Sequence, residues 1–239
     1  MKRVATVVAA DGTVRLTHFS SLEGRPLERE LNELLGLPVT LENDINLAAL
    51  GEQWQGVARG VSDFVFLSIG TGLGAGVVID GELRRGRNGA AGELDFARAG
   101  DDSYNPDAAS VAAIAARLAG RYPTSLVPPY DVRAIFAAAR TGDELARAAV
   151  AEEARRIARH VAPVAAVVDV ELVVLGGGVG WNGDLLLDAI RPHLVQWLPY
   201  PPRLEVSSLG DAAVLTGALA VGVRAALDSV FAKRRAAPV

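Results

Sequence analysis

The stretch from Phe64 to Phe96 constrains the fold most, because it joins a buried strand to a run of glycines and to the acid Glu93. Residues 64–69 are apolar apart from one serine, which predicts a strand buried on both faces. This strand leads directly into Gly70-Thr71-Gly72-Leu73-Gly74. Glycine permits positive φ and close approach of the backbone, so such a turn can present N–H groups to an anion such as phosphate. A packed glycine turn that binds nothing is the alternative.

The rest of the chain alternates predicted strands and helices, which is the pattern of an α/β protein. Asp80-Gly81 predicts a two-residue turn with both residues at positive φ, after a strand at 75–79. We predict further strands near 4–9, 13–17, 38–41, 172–175 and 204–207, and helices near 26–35, 45–55, 108–119, 132–139, 143–167, from 184 and at 212–231. Pro163 is expected to kink or divide the longest helix.

Composition excludes several kinds of function. The 239 residues contain no cysteine, which excludes disulfides and all cysteine-based metal or nucleophile sites. The formal net charge of −4 argues against DNA binding by this chain alone, and the basic cluster at 233–235 is interpreted as a solvated end. We find no apolar run near the roughly 18–20 residues of a membrane span. We therefore expect a cytoplasmic protein that does not contact a membrane.

Asn43 and Asp44 lie between a predicted strand and a predicted helix, where α/β proteins commonly bind ligands. A carboxylate beside an amide can bind two adjacent sugar hydroxyls. An aspartate there could also take the proton from a hydroxyl that attacks a phosphoryl group. The alternative is that one of the two side chains only caps the following helix.

Two further segments carry candidate ligand groups. Glu93 closes the glycine-bracketed loop 87–93, although it could equally be a surface acid paired with a nearby arginine. Gly176, Gly177 and Gly178 follow a predicted buried strand and lead toward a helix. Such a junction can admit a nucleotide base or ribose, or it can serve close packing of helix on strand.

The order of four segments closely resembles the ROK (Repressor, ORF, Kinase) family: ENDINLAALGE, IGTGLGAGVVIDGELRRGRNGAAGE, ELVVLGGGVG and SSLGDAAVLTGAL. The resemblance extends from about Val7 to about Leu227. The family combines bacterial sugar kinases and sugar-responsive transcriptional repressors on an actin-like, hexokinase-type ATPase fold of the ribonuclease H-like class. The resemblance implies a remnant of a small α/β lobe at 1–38 and a large α/β lobe at 39–239. The C-terminal helix of the large lobe would pack back toward the small lobe.

The resemblance also implies roles for the candidate residues. Asn43, Asp44 and Glu93 would bind the hydroxyls of one sugar in the cleft between the lobes, with Asp44 as the catalytic base in kinase members. Two sets of residues match the family's nucleotide-binding loops: the second phosphate loop at Gly70, Thr71 and Gly72, and the adenosine-side turn at Gly176, Gly177 and Gly178.

The sequence departs from the kinase members at two places. Residues 1–40 supply neither the Asp-x-Gly-Gly-Thr loop that holds ATP phosphates in kinases nor the winged helix-turn-helix of repressors, so we expect a chain shortened at its N-terminus. Kinases continue the Gly-Glu pair with Gly-His and a zinc-binding cysteine cluster. Here Leu94-Asp95-Phe96 follow, which leaves no zinc ligand and removes one sugar contact.

We therefore expect the sugar-sensing effector region of a ROK-type transcriptional regulator, without kinase turnover and without a resident metal. Its partner would be a monosaccharide that the sequence does not identify. Operator DNA would be bound only through an N-terminal domain absent from this chain, and the resemblance favours a homodimer. The alternative is an ATP-dependent sugar kinase, similar to a glucokinase or fructokinase, that uses ATP and Mg²⁺ with Asp44 as base. A third interpretation is a fragment without a function of its own.

Overall fold

The computed structural model describes residues 7–9, 11–15, 20–70, 72–97 and 110–236, with side chains as far as residue 232. Strands β1 (Val7–Val8) and β2 (Val14–Arg15) pair antiparallel. A five-stranded sheet has the order β5-β4-β3-β6-β7 and consists of β3 (Phe64–Ile69), β4 (Leu73–Ile79), β5 (Glu82–Leu83), β6 (Leu172–Gly176) and β7 (Arg203–Val206). Its β6–β7 pair is parallel and its β4–β5 pair antiparallel, so the sheet is mixed.

Helices separate most of these strands. The α-helices within the described residues are α1 (Leu27–Leu35), α2 (Asp44–Gln55), α3 (Val111–Leu118), α4 (Val132–Thr141), α5 (Glu144–Val168), α6 (Gly177–Gly180), α7 (Gly183–Trp197) and α8 (Ala213–Ala236). Short 3₁₀ turns lie at Leu94–Phe96 and Gly210–Ala212. The α/β pattern predicted from the sequence is therefore confirmed. Parts of the predicted elements, at 4–6, 16–17 and 108–109, lie outside the described residues.

The predicted turn at Asp80-Gly81 is confirmed, because both residues have positive φ (56° and 74°). The turn joins β4 to β5 and pairs Ile79 with Glu82. Pro163 lies inside α5, which continues from Glu144 to Val168 as one helix, so the proline does not divide the helix and a kink stays a prediction. Packing of α5 against α3, α4 and α7 holds the helix together although the proline removes one backbone donor.

The predicted strand at 38–41 is wrong, since these residues have irregular backbone. Side chains of α1 accept the hydrogen bonds that the backbone carbonyls of a neighbouring strand would otherwise accept. The Val39 N–H donates to Asn32 Oδ1 at 2.6 Å, and the Leu41 N–H donates to Glu28 Oε2 at 3.0 Å. Buried or half-buried backbone donors need an acceptor but not a sheet, so the segment can remain irregular and unpaired.

The chain divides into two compact units. Unit 1 consists of residues 1–66, 75–92 and 207–239, and unit 2 of residues 67–74 and 93–206. In unit 1, α2 packs closely against α8, because a Cβ at Gly217 would lie 1.8 Å from the Leu47 carbonyl oxygen. In unit 2, α5 buries side chains such as Leu145 and Ile157. The lobes expected at 1–38 and 39–239 stay a prediction.

Helix α8 carries an apolar, exposed face. Within the described residues, Gly210–Ala232 alone is long and apolar enough to cross a membrane, as judged by length and composition only. No span was predicted here from the sequence, because Asp211, Arg224 and Asp228 interrupt the apolar run. In the structure, Arg224 donates to Glu82 at 3.1 Å on the same unit.

Candidate functional site

Asn43 is the N-cap of α2. Its backbone is extended (φ −65°, ψ 143°), and its Oδ1 accepts hydrogen bonds from the N–H groups of Ile45 at 2.8 Å and Asn46 at 3.2 Å. The capping interpretation therefore describes this oxygen correctly, and such a cap is worth about 1 kcal/mol. The sugar contact predicted for Asn43 stays a prediction.

Asp44 is the first residue of α2 and is exposed. Its Oδ1 accepts from the N–H of Ile45 at 2.9 Å. The N-terminal end of a helix favours a negative charge, and the second carboxylate oxygen can accept a hydrogen bond from a hydroxyl. The residue predicted as a sugar ligand is thus held on a rigid element with its carboxylate reaching solvent.

Glu42 is a site residue that the sequence reasoning missed. Its side chain is only 5% exposed and pairs with Arg85, with 2.6 Å between Nε and Oε2. Its other oxygen accepts from Asn46 Nδ2 at 2.8 Å and from the Asn43 N–H at 3.0 Å. Glu42 therefore fixes the turn that carries Asn43 and Asp44. The nearby arginines were predicted only as partners of Glu93.

Two glycines bring the loop before Glu93 close to two strands of unit 1. Gly89 has φ 76°, and a Cβ there would lie 2.1 Å from the Val8 carbonyl oxygen. Gly92 has φ 88°, and a Cβ there would lie 1.8 Å from the Ala75 carbonyl oxygen. The Ala75 N–H also donates to the Gly92 carbonyl at 2.8 Å. Only glycine fits these contacts, so the glycine bracket seen in the sequence has a packing function.

Glu93 precedes the 3₁₀ turn Leu94–Phe96, and its carbonyl accepts from the Phe96 N–H at 3.1 Å. Phe96 is 58% exposed. Asp95 points at the glycine loop, the turn after β3 that contains Gly70 and Gly72: its Oδ1 accepts from the Leu73 N–H at 3.0 Å, and its Oδ2 lies 2.7 Å from where a Cβ on Gly72 would be. This contact was not predicted, since Asp95 stood out in the sequence only as a departure from the family pattern.

The glycine loop itself makes internal hydrogen bonds. The Gly70 N–H donates to the Gly72 carbonyl at 3.0 Å, and the Leu73 N–H is taken by Asp95. Thr71 lies outside the described residues. Two of the backbone donors that could hold a phosphate therefore have protein acceptors, and the role of Gly70, Thr71 and Gly72 as a phosphate loop stays a prediction.

The junction at Gly176, Gly177 and Gly178 joins β6 to α6. Gly177 has φ 74°, and a Cβ there would lie 2.5 Å from the carbonyl oxygen of Ile69, the last residue of β3. Close packing thus accounts for Gly177, whereas a Cβ at Gly178 would meet open space. The Asn182 Nδ2 donates to the Gly178 carbonyl at 3.1 Å. An adenosine contact by this turn stays a prediction.

An ion pair anchors the start of α7 in the same unit. Arg140 donates to both carboxylate oxygens of Asp184, at 2.7 and 2.8 Å, and to Asn182 Oδ1 at 2.9 Å. The hydrogen bonds from Arg140 hold the pKa of the Asp184 carboxyl below its ordinary value. Bidentate pairing of this kind fixes geometry, so the end of α4 and the start of α7 are held together.

The predicted ligands belong to different units. Asn43 and Asp44 lie in unit 1, whereas Glu93, the glycine loop and Gly176–Gly178 lie in unit 2. Within unit 2, the end of β3 and the Gly177 turn contact each other directly. The convergence of Asn43, Asp44 and Glu93 on one sugar stays a prediction.

Comparison with known protein families matches residues 3–224 to the ROK family. The chain belongs to the ROK family. Its fold is accordingly the hexokinase-type, actin-like ATPase fold, as the resemblance of the four segments implied. The five-stranded mixed sheet with surrounding helices agrees with this assignment.

The relatives of this ROK chain include both regulators and kinases. It is 30% identical over 234 residues to a xylose repressor from Caldicellulosiruptor bescii, covering 88% of this chain and 58% of the repressor. It is 32% identical over 217 residues to a glucokinase from Halalkalibacterium halodurans, covering 80% of this chain and 66% of the glucokinase. A crystal structure of a ROK family transcriptional regulator, a homologue of the E. coli MLC protein, superposes with a TM-score of 0.80 at 28% identity, covering 90% of this chain and 59% of that one. The chain thus spans only part of the length of each relative.

Proposed function

We propose that this chain is the effector region of a ROK-type transcriptional regulator, which binds a monosaccharide without phosphorylating it. The observation that supports this most is the turn after Glu93, where Leu94-Asp95-Phe96 expose a phenyl ring. A phenyl ring neither hydrogen-bonds a sugar hydroxyl nor ligates a metal. The ROK relatives include repressors and kinases alike, so family membership does not decide between a regulator and a kinase. Residues such as Phe96 must decide.

Sugar recognition would use three polar groups. Asp44 and Glu93 would accept hydrogen bonds from hydroxyls of the sugar, and Asn43 would donate through Nδ2. Hydrogen bonds to charged groups are each worth about 1.5–3 kcal/mol. Glu42 and Arg85 would hold Asn43 and Asp44 in place without touching the sugar, since the Glu42 side chain is buried.

The remaining partners belong to the same proposal. With a formal net charge of −4, this chain would leave contact with operator DNA to a separate domain of the regulator. We further propose that the protein acts in the cytoplasm, and that it forms a homodimer, which the family resemblance favours.

A sugar kinase is the second candidate, favoured by Asp44 at the start of α2 and by the identity to a glucokinase. Asp44 would then take the proton from the attacking sugar hydroxyl, with ATP and Mg²⁺ as co-reactants. Phosphoryl transfer relies on positioning and charge stabilisation. The glycine loop fits an ATP phosphate poorly, because the Leu73 N–H already donates a hydrogen bond to the carboxylate of Asp95.

A sugar titration and an enzyme assay of the same protein distinguish the regulator from the kinase. Calorimetry with xylose, glucose and their epimers should find a sugar that binds saturably, and a coupled assay with ATP and Mg²⁺ should detect no ADP formation. Asp44→Ala and Glu93→Ala should each weaken the sugar roughly ten- to a hundredfold. The matched control is Asp188→Ala, which removes an exposed carboxylate on α7 and should leave binding unchanged. Sugar-dependent ADP formation that disappears in Asp44→Ala would establish the kinase instead.

A further inference from the structure

We propose that Asp95 is an internal anion that excludes phosphate groups from the backbone of Gly72 and Leu73, and so makes this chain selective against nucleotide. The observation is the placement of its carboxylate on the loop, with Oδ1 3.0 Å from the Leu73 nitrogen. Its second oxygen lies 2.7 Å from the position that a Cβ on Gly72 would take. Asp95 thus occupies the Leu73 N–H and the space beside Gly72 that a phosphate bound to this backbone would need.

The turn that carries Asp95 is built to keep it there. The Phe96 N–H donates to the Glu93 carbonyl at 3.1 Å, and the Ala97 N–H donates to the Leu94 carbonyl at 2.9 Å. These bonds form one 3₁₀ turn across Leu94–Phe96. Asp95 would have to leave the loop by rotating its side chain away from Leu73 or by opening this turn.

The absence of a side chain on Gly72 lets the carboxylate approach. Any larger residue at 72 would meet Asp95 Oδ2 at 2.7 Å, which is closer than Cβ contacts occur. Glycine at this position therefore accommodates the internal carboxylate, and the same feature in the sequence had predicted room for an external anion. The same glycine pattern is thus compatible with binding a phosphate and with excluding one. Asp95, 23 positions after Gly72, decides between the two.

Charge makes the two occupants mutually exclusive. A phosphate group bound by the loop would need backbone N–H donors, yet the Leu73 N–H is taken by Asp95 and the Gly70 N–H by the Gly72 carbonyl. The phosphate would also lie beside a carboxylate, and like charges at a few ångströms repel strongly where water screens them poorly. A neutral sugar meets no such repulsion, so the device discriminates against nucleotide and not against the proposed sugar.

The variant Asp95→Asn tests the charge while retaining a side-chain oxygen that can accept from the Leu73 N–H. Inorganic tripolyphosphate and ATP are titrated by calorimetry into the wild-type chain, Asp95→Asn and Asp95→Gly. We expect no saturable binding to wild type and at least tenfold stronger binding of tripolyphosphate to both variants. Asp188→Asn makes the same change in net charge at an exposed position on α7 and should behave as wild type.

Circular dichroism and melting curves establish that each variant is folded before it is titrated. Equal affinity of wild type and folded variants for tripolyphosphate would overturn the proposal, because the carboxylate would then exclude nothing. A second measurement needs no variant: the amide signal of Leu73 in the wild-type chain should not move when tripolyphosphate is added, and a saturable shift would overturn the proposal. Sugar titration of the same samples reports on the sugar site separately, so its failure would leave the result on Asp95 intact.

Discussion

His160 makes the stability of this chain depend on pH in a range where few other side chains titrate. The residue lies on α5 and is 3% exposed. Burial, with a smaller contribution from repulsion by Arg156, lowers the pKa of His160 from 6.5 to about 4. The folded chain therefore binds this proton more weakly than the unfolded chain does, and acid should favour unfolding between these two pKa values.

The size of the effect follows from the difference between the two pKa values. One pKa unit corresponds to about 1.4 kcal/mol, so protonation of His160 removes about 3 kcal/mol of stability in full. The contribution is fully present above pH 6.5 and is lost as the pH falls toward 4. Between pH 7 and pH 4.5 the expected loss is about 2 kcal/mol.

Urea unfolding at pH 7, 6, 5 and 4.5 measures this loss, with His160→Gln as the comparison. The variant cannot acquire the charge, so its free energy of unfolding should lose about 2 kcal/mol less than wild type over this range, whatever its stability at pH 7. Parallel curves for the two proteins would refute the reasoning that burial governs this histidine. A wild-type chain that gains stability on acidification relative to the variant would show that the folded state prefers the charged ring.

Two further predictions concern buried contacts of unit 1. Glu52→Gln should destabilise the chain by about 2–3 kcal/mol, because the fully buried carboxylate accepts from the N–H groups of Val57 and Leu209 and from two serine hydroxyls, and an amide nitrogen cannot accept; thermal unfolding checks this against Glu171→Gln, whose carboxylate is exposed. Gly92→Ala should cost more than about 3 kcal/mol, since its Cβ would lie 1.8 Å from a backbone oxygen. Gly60→Ala has a similar φ but open space around it and should cost about 1 kcal/mol, so equal losses in the two alanine variants would contradict the steric argument.

The sequence was sufficient for most elements of the fold, because hydrophobic spacing and glycine turns are local signals. The buried run at 64–69 and the Asp80-Gly81 turn lie where they were predicted. The segment 38–41 has the composition of a strand but is unpaired, since Asn32 and Glu28 take its backbone donors. Such a choice between sheet and side-chain acceptors depends on tertiary contacts and cannot be read from the segment alone.

The candidate site was only partly predictable for the same reason. The glycines and the cap at Asn43 have local signatures, and the structure shows what each does in packing. Glu42 meets Arg85 across 43 residues, and Asp95 meets Leu73 across 22. No spacing rule connects residues so far apart. A charged residue inside a glycine-rich motif nevertheless indicates that a hydrogen-bond or charge partner lies nearby in the fold.

The titration of monosaccharides into the wild-type chain, with and without ATP and Mg²⁺, tests the central claim most directly. We predict saturable binding of one sugar, an affinity that ATP does not change, and no sugar phosphate or ADP in the product mixture. Asp44→Ala should weaken that sugar roughly ten- to a hundredfold while Asp188→Ala does not. Sugar phosphate formed by the wild-type chain and lost in Asp44→Ala would contradict the claim, as would binding that neither Asp44→Ala nor Glu93→Ala affects.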